Sequence, residues 1–354
     1  MNHIKKIAAQ LLEHDLDAML ITSKSGERYA LGFHGEGLLL VTRDGAQYST
    51  DGRYIEAARE QLPGLDICLT TTKQGHMAFA KEYVEAKGLK HVGFESGAMT
   101  VDAHLRYSKE LPCTLVPAQK LLDGLRASKD EGELSLMRRA QQITDEAFKA
   151  ILNYIRPGMT EREIAARLVY ELLSRGGERV SFDPIVAAGP NGSRPHAVPG
   201  DRTVEKGMFI TMDFGCKSGG YCSDMTRTVV IGKANEKQKE IYKIVLEAQE
   251  AALAGLRAGM TGAEGDALAR KVIEEAGYGD YFGHGLGHSV GLEIHEKPAL
   301  SPKEHTILRP GIIETVEPGI YIPGFGGVRI EDMTVITENG IKNLTRSPKE
   351  LIEL

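Results

Sequence analysis

Arg156-Pro-Gly-Met-Thr160 returns as Arg257-Ala-Gly-Met-Thr261, 101 residues later. Two more strings return in the same order. Gly207-Met-Phe-Ile-Thr-Met-Asp213 matches Gly311-Ile-Ile-Glu-Thr-Val-Glu317 at an offset of 104, and Asp224-Met-Thr226 matches Asp332-Met-Thr334 at an offset of 108. Shared helix–turn–strand grammar rarely produces three ordered matches at nearly constant offset. The pattern predicts two similar halves related by a pseudo-two-fold axis. The period is too long, and the copies too few, for a solenoid.

The repeat leaves the front of the chain outside it, and 354 residues are enough for about two domains. Residues 1–10 read as an amphipathic helix, and Ile4, Ile7, Ala8, Leu11 and Leu12 make one face. This stretch lacks the apolar run and cleavage site of a signal peptide. Asp17–Thr22 reads as a strand. Gly37–Thr42 and Ala46–Thr50 flank Asp44-Gly45, a hairpin signal. Helices near 54–61, 76–87 and 100–110 alternate with strands near 65–71, 91–95 and 113–117, an α/β pattern. Ser128-x-x-Glu131 reads as a capping box opening a helix to about Ile155. The expected domains are therefore 1–125 and 126–354.

Composition excludes several classes. A net charge of −6 without a basic tract argues against nucleic acid as a partner. Apolar runs such as Gly37–Val41 fall far below the ~20 residues of a membrane span. Four cysteines without a C-x-x-C pair suit the reducing cytosol. Cys216 and Cys222 read as packing residues of a hairpin rather than zinc ligands.

The repeated strands carry acids. Asp213 ends an apolar strand, and Asp224 follows after Gly215, Gly219 and Gly220, a spacing that suits a hairpin bringing both acids to one place. A carboxylate on a buried strand needs a cation, either arginine or metal. Gly283-His-Gly-Leu-Gly-His-Ser-Val-Gly-Leu-Glu-Ile-His295 places three histidines in a glycine-rich, strand-like stretch. It lacks G-x-G-x-x-G spacing and a following helix, which excludes a dinucleotide loop, and the chain has no H-E-x-x-H. Glu317 is the repeat partner of Asp213. Strand alternation puts Glu331 and Asp332 on opposite faces, so only one of them can join a common site. The residues alone leave that choice open.

The order Asp213, Asp224, His288, Glu317, Glu331 resembles the two-metal ligand set of the pita-bread metallopeptidases, which include methionine aminopeptidase, prolidase, aminopeptidase P and the metal-free creatinase. The strings are MDFG, YCSDMTRT, GHGLGHSVGLEIHE, VEPGIY and GGVRIED. RYALGF, GLLLVT and TDGRY resemble the creatinase-type N-terminal domain of prolidase and aminopeptidase P. The resemblance spans the chain. It implies an α/β N-terminal domain ahead of a pita-bread α+β catalytic domain, and it selects Glu331 over Asp332 as the last ligand. Four carboxylates and an imidazole favour two hard divalent ions, Mn²⁺ first, with Co²⁺ or Zn²⁺ competing. Two ions about 3.5 Å apart share a water, lower its pKa and leave a bridging hydroxide nucleophile.

The resemblance further implies that Glu317 shuttles a proton and that His196 steadies the substrate or the tetrahedral intermediate. It gives His284 the proline side and His295 a hydrogen bond to the peptide; each histidine has a ligand-orienting role as its alternative. Arg329, two residues before Glu331 and so on its strand face, either orients carboxylates or contacts substrate. The expected activity is hydrolysis of the Xaa-Pro bond at the N-terminus of dipeptides or short peptides. A methionine-type aminopeptidase and a non-enzymatic peptide- or protein-binding module are the alternatives. Many prolidases carry an arginine four residues after the third histidine; Ala299 stands here, which leaves dipeptide preference open. A homodimer is expected, with an exposed His34 and Glu36 in the loop Phe33–Gly37 reaching a partner's site.

Overall fold

Five consecutive apolar or small side chains with no room for solvent on either face define the middle of the first sheet. The computed structural model describes residues 2–354. It contains two compact units, one ending at Arg126 and the other spanning Ala127–Leu354. In the first, α1 (Ile4–Gln10) leads into β1 (Ala18–Ile21), α2 (Lys24–Leu31), β2 (Leu38–Thr42) and β3 (Ala46–Thr50). Then follow α3 (Ile55–Gln61), β4 (Asp66–Leu69), α4 (His76–Lys87), β5 (His91–Phe94), α5 (Val101–Glu110), β6 (Thr114–Pro117) and α6 (Gln119–Ala127). The six strands form one mixed sheet in the order β4-β3-β2-β1-β5-β6. Strands β1 and β2 are buried along their whole length, as the centre of a covered sheet requires.

Met1 lies outside the described residues. The α1 face holds at Ile7 and Leu11, but Leu12 is 66% exposed, because the helix ends before it. Helices α2 and α6 are not among the elements expected from the sequence, although both are amphipathic: Tyr29, Ala30 and Leu31 of α2 and Leu121 and Leu122 of α6 are buried. Ser23 caps α2 by accepting from the Gly26 N–H, and Gly32 closes it in the left-handed region (φ 69°).

The second unit opens with α7 (Glu131–Leu152). Its capping box is Asp130 with Glu133, not Ser128 with Glu131. Ser128 instead forms an antiparallel bridge to Ile312, and an extended residue two positions earlier cannot cap this helix. Then come α8 (Glu161–Ser174), β7 (Arg179–Val180), β8 (Ile185–Ala188), β9 (Phe209–Phe214), β10 (Cys216–Ser218), β11 (Tyr221–Cys222) and β12 (Met225–Val230). The second half repeats this path with α9 (Glu236–Gly255), α10 (Gly262–Glu275), β13 (Gly287–Ser289), β14 (Glu296–Leu300) and β15 (Ile313–Val316). It continues through β16 (Gly319–Ile322), β17 (Gly326–Arg329), β18 (Asp332–Thr337), β19 (Gly340–Asn343) and β20 (Ile352–Glu353).

The main sheets run β20-β12-β9-β8 and β14-β13-β15-β18-β19. Each half has its own apolar core. One packs Ala140, Ile143, Ala147 and Ile151 of α7 against Ile210, Met212 and Val229, and the other packs α9 and α10 against Val316 and Ile336. Residues with the longest apolar faces thus hold both acid-bearing sheets in place.

Candidate metal centre

Antiparallel pairing of β9 with β12 sets Asp213 opposite Thr226, so Asp224 lies just beyond the end of its strand. The connection works because Gly219 and Gly220 take φ of 57° and 84° in a tight turn. A Cβ on Gly215 would sit 1.9 Å from the Ser223 carbonyl oxygen. The hairpin therefore depends on its glycines, and it delivers both aspartates to one place. In the second half β15 runs directly into Glu317. Glu331 lies between β17 and β18, so Arg329 and Glu331 are not on one strand. Both side chains nonetheless reach the same centre. Of the glycine-rich histidine stretch, only Gly287–Ser289 is strand. A Cβ on Gly287 would meet the Thr315 carbonyl at 2.0 Å, so that glycine lets β13 pack close.

Asp224, His288 and Glu331 each offer a donor atom within 4.8 Å of the other two. His288 Nε2 lies 3.6 Å from Asp224 Oδ2 and 3.4 Å from Glu317 Oε1. Its Nδ1–H donates to the Ser289 carbonyl at 3.2 Å, which leaves the Nε2 lone pair facing the acids. Burial pushes the His288 pKa down, favouring that neutral form. Glu331 Oε2 accepts from Thr226 Oγ1 at 2.7 Å, and Glu317 Oε1 from Thr315 Oγ1 at 2.9 Å. Asp213 Oδ2 accepts from Arg329 Nη2 at 2.7 Å, while Oδ1 is buried with no hydrogen-bond partner among the described residues.

Burial, reinforced by the neighbouring acids, holds Asp224 and Glu331 well above the ordinary carboxylate range. Burial also raises Glu317, with His284 and Arg329 partly offsetting it. One arginine cannot balance four crowded carboxyls. An orphaned buried oxygen and a free imidazole nitrogen aimed at the same space fit divalent cations.

Arg329 is 3% exposed, and its donors are taken. Besides Asp213, Nε donates to Thr226 Oγ1 at 3.0 Å, and Nη1 donates to the Tyr321 hydroxyl at 2.9 Å and the Pro195 carbonyl at 3.3 Å. This geometry suits orienting a carboxylate. His284 donates from Nδ1 to the Gly285 carbonyl and accepts at Nε2 from the Tyr321 hydroxyl, 2.9 Å away. Its ring packs edge-on to Phe282. His295 packs edge-on to His288, with centroids 4.4 Å apart. His196 stands exposed on the loop after β8. The centre, these three histidines and Ala299 line one cavity of about 600 Å³.

Asp332 turns away from the centre into a buried network with Arg227 (2.7 Å), Lys349 (3.3 Å) and Asn343 (2.6 Å). Arg227 also donates to the carbonyls of Thr226, Glu331, Ser347 and Pro348. The sequence reading missed Thr226, Tyr321 and Arg227. All three lie inside the strings given above, but the side-chain partners of Thr226 and Arg227 are about a hundred residues away and His284, a partner of Tyr321, is 37 away. Cys216 and Cys222 are buried and free, and no carboxylate of the centre bonds to either.

Residues 135–338 match the model of metallopeptidase family M24, and residues 3–128 match the creatinase/prolidase N-terminal domain. The chain belongs to metallopeptidase family M24. Its fold is accordingly the pita-bread arrangement behind a creatinase-type domain. Among M24 relatives, the Xaa-Pro dipeptidase of Pyrococcus horikoshii is 38% identical over 99% of this chain and 98% of its own length. Among solved structures, the Xaa-Pro dipeptidase from Bacillus anthracis superposes with a TM-score of 0.96 at 42% identity, covering 99% of both chains. The X-Pro aminopeptidase from Thermotoga maritima gives 0.93 at 35% identity over the full length of both.

Proposed function

We propose that this chain is a dinuclear metallo-exopeptidase that hydrolyses the Xaa-Pro bond at the N-terminus of dipeptides and short peptides. The observation that carries the reading is the buried, cation-deficient group of Asp213, Asp224, His288, Glu317 and Glu331, in a chain alike end to end to Xaa-Pro peptidases. These five would hold two divalent ions, Mn²⁺ by preference. When bound, such ions supply Lewis acidity and an activated water.

The chain's own residues do the rest. Arg329 fixes Asp213 through Oδ2, leaving Oδ1 for the centre. Thr226 fixes Glu331, and Thr315 fixes Glu317. Glu317, steadied by Thr315 at Oε1, would take a proton and return it to the proline nitrogen. His196 and His295, at the cavity wall, would hydrogen-bond the peptide, and His284 would face the proline side. Residues 1–125 would form the non-catalytic domain and 126–354 the catalytic one. Four free cysteines suit the cytosol. Among the described residues no helix is long and apolar enough to cross a membrane.

A homodimer is part of this reading, to be measured by sedimentation velocity. His34 is not the exposed residue expected: it is held by Glu27 at 3.0 Å, and Glu27 also accepts from the N–H groups of Gly35 and Gly37. Glu36 alone stands out from the loop, at φ 48°, paired with Arg53.

Ala299 lines the cavity where an arginine would clamp a dipeptide's carboxylate, a pair worth roughly 1.5–3 kcal/mol. Turnover of Xaa-Pro-Yaa should therefore at least match Xaa-Pro, and Ala299→Arg should shift the ratio toward dipeptides. Measuring kcat/KM for both lengths after metal stripping and Mn²⁺ reconstitution tests both points. Full activity of the stripped protein would refute the metal reading, and strict rejection of tripeptides would refute the clamp argument.

A further inference from the structure

We propose that Asp183 gives this site a preference for peptides whose N-terminal residue, ahead of the proline, has a cationic side chain. The inference rests on the Xaa-Pro reading above and concerns the side chain which that reading leaves undefined.

The register of the first half locates Asp183. Ile185 pairs with Asp213 across β8 and β9, and residues opposite each other in an antiparallel pair share a face. Both line the cavity. Asp183 is two residues earlier, on the same face by alternation, roughly 6.6 Å along the chain. Pro184 disfavours a helical conformation at Asp183 and keeps the segment extended. Asp183 thus stands one strand repeat beyond the Ile185–Asp213 pair, a step about as long as a lysine or arginine side chain.

The charge balance singles out the same residue. Asp213, Glu317 and Glu331 each accept from a buried neighbour. Asp183 is exposed, lines the cavity, and has no hydrogen bond or ion pair among the described residues. Arg329 is the one lysine or arginine in the cavity lining, and its donors are already engaged. Nothing in the wall answers the Asp183 charge. Phe182 and Ile185, its neighbours in the wall, offer apolar surface for the methylene stem of a long cationic side chain, leaving its head at the carboxylate.

The pseudo-symmetry supplies an independent view. Glu317, the repeat partner of Asp213, receives its backbone contact from Leu286, whose carbonyl accepts the Glu317 N–H at 2.9 Å. Leu286 thus corresponds to Ile185, and His284 to Asp183, at the same offset of 101 that separates Thr160 from Thr261. One backbone position, used twice, carries an unpaired acid in one half and an imidazole tied to Tyr321 in the other.

The test compares kcat/KM of the metal-loaded enzyme for Lys-Pro-Yaa, norleucine-Pro-Yaa and Glu-Pro-Yaa. Wild type should prefer lysine over norleucine by roughly two- to fivefold, the yield of a solvent-accessible ion pair. The lysine-to-norleucine ratio should fall to about one in Asp183→Asn, turn toward glutamate in Asp183→Lys, and shrink at high salt. Ratios cancel any difference in the fraction of active enzyme. A ratio that Asp183→Asn leaves unchanged overturns the proposal. If no proline peptide is cleaved, the Xaa-Pro reading fails by itself. Competition of lysine amide against norleucine amide for the metal-loaded protein then decides: an Asp183-dependent advantage for lysine supports the proposal, and equal binding overturns it.

Discussion

The two halves of the second unit make the same backbone hydrogen bonds with different side chains. Gly158 N–H donates to Val204 at 2.8 Å, and Gly259 N–H donates to Leu308 at 2.9 Å. Val204 answers Met159 at 2.8 Å, and Leu308 answers Met260 at 2.7 Å. Thr160 with Glu163 and Thr261 with Glu264 form matching capping boxes. The next position parts them. Glu161 is buried and accepts from the N–H groups of Ala188 and Gly200 and from the Asn191 amide, so it clasps both ends of the loop that carries His196. Its partner is Gly262, where a Cβ would sit 2.1 Å from the Ala299 carbonyl oxygen. There the second half brings β14 against the helix instead of a loop. Likewise apolar Ile210 in one half is Glu314 in the other. The duplicated path supplies geometry, and the unmatched side chains differ: one half carries Asp213, Asp224 and the His196 loop, the other His288, Glu317 and Glu331.

If both halves are needed for one centre, a ligand lost from either should be equally damaging. Asp224→Ala and Glu331→Ala should each lower kcat on the order of a thousandfold or more, since several kcal/mol of transition-state stabilisation go with the metals. Circular dichroism should stay native, and calorimetry should show fewer than two Mn²⁺ bound. A variant that keeps wild-type turnover would break the symmetry of the argument.

Glu161→Gln tests what the first half alone does. The amide cannot accept at both positions, so the base of the His196 loop should open. Activity should fall roughly ten- to a hundredfold, the range for displaced positioning groups. Two metals should still bind. In a His196→Ala background the added loss should vanish, which a general loss of packing would not produce.

Glu314 tests the second half through stability. Both its oxygens lack a partner among the described residues, and burial raises its pKa well above the usual value. An acid raised in the folded state costs stability as pH climbs past its unfolded pKa. Glu314→Gln should therefore gain about 1–3 kcal/mol at pH 7 and little at pH 4, measured by urea unfolding.

Much of this arrangement is legible in the sequence because it is written in short strings. The repeat, the acid spacing across Gly219-Gly220 and the alternation that parts Glu331 from Asp332 are local facts. What escapes is set by partners distant in sequence. Thr226 matters because Glu331 and Arg329 close on it, and Tyr321 because it stands between His284 and Arg329. Asp130 caps α7 rather than Ser128 because Ser128 is drawn into pairing with Ile312. The Arg329–Glu331 face survived a break between two strands that alternation alone does not foresee.

Strand β20 and the Arg227 clasp also give the molecule a timetable. β12 pairs in parallel with Ile352–Glu353, and Arg227 grips the carbonyls of Ser347 and Pro348. Asp213 and Asp224 leave the ribosome more than a hundred residues before those partners. At 5–20 residues per second the gap is roughly 6–25 s. Through most of that interval a nascent chain holds Asp213 and Asp224 but lacks Glu331, which precedes Ser347 by only 16 residues. The five side chains of the proposed centre therefore come together only once its last acid and the clasp behind it have both been made.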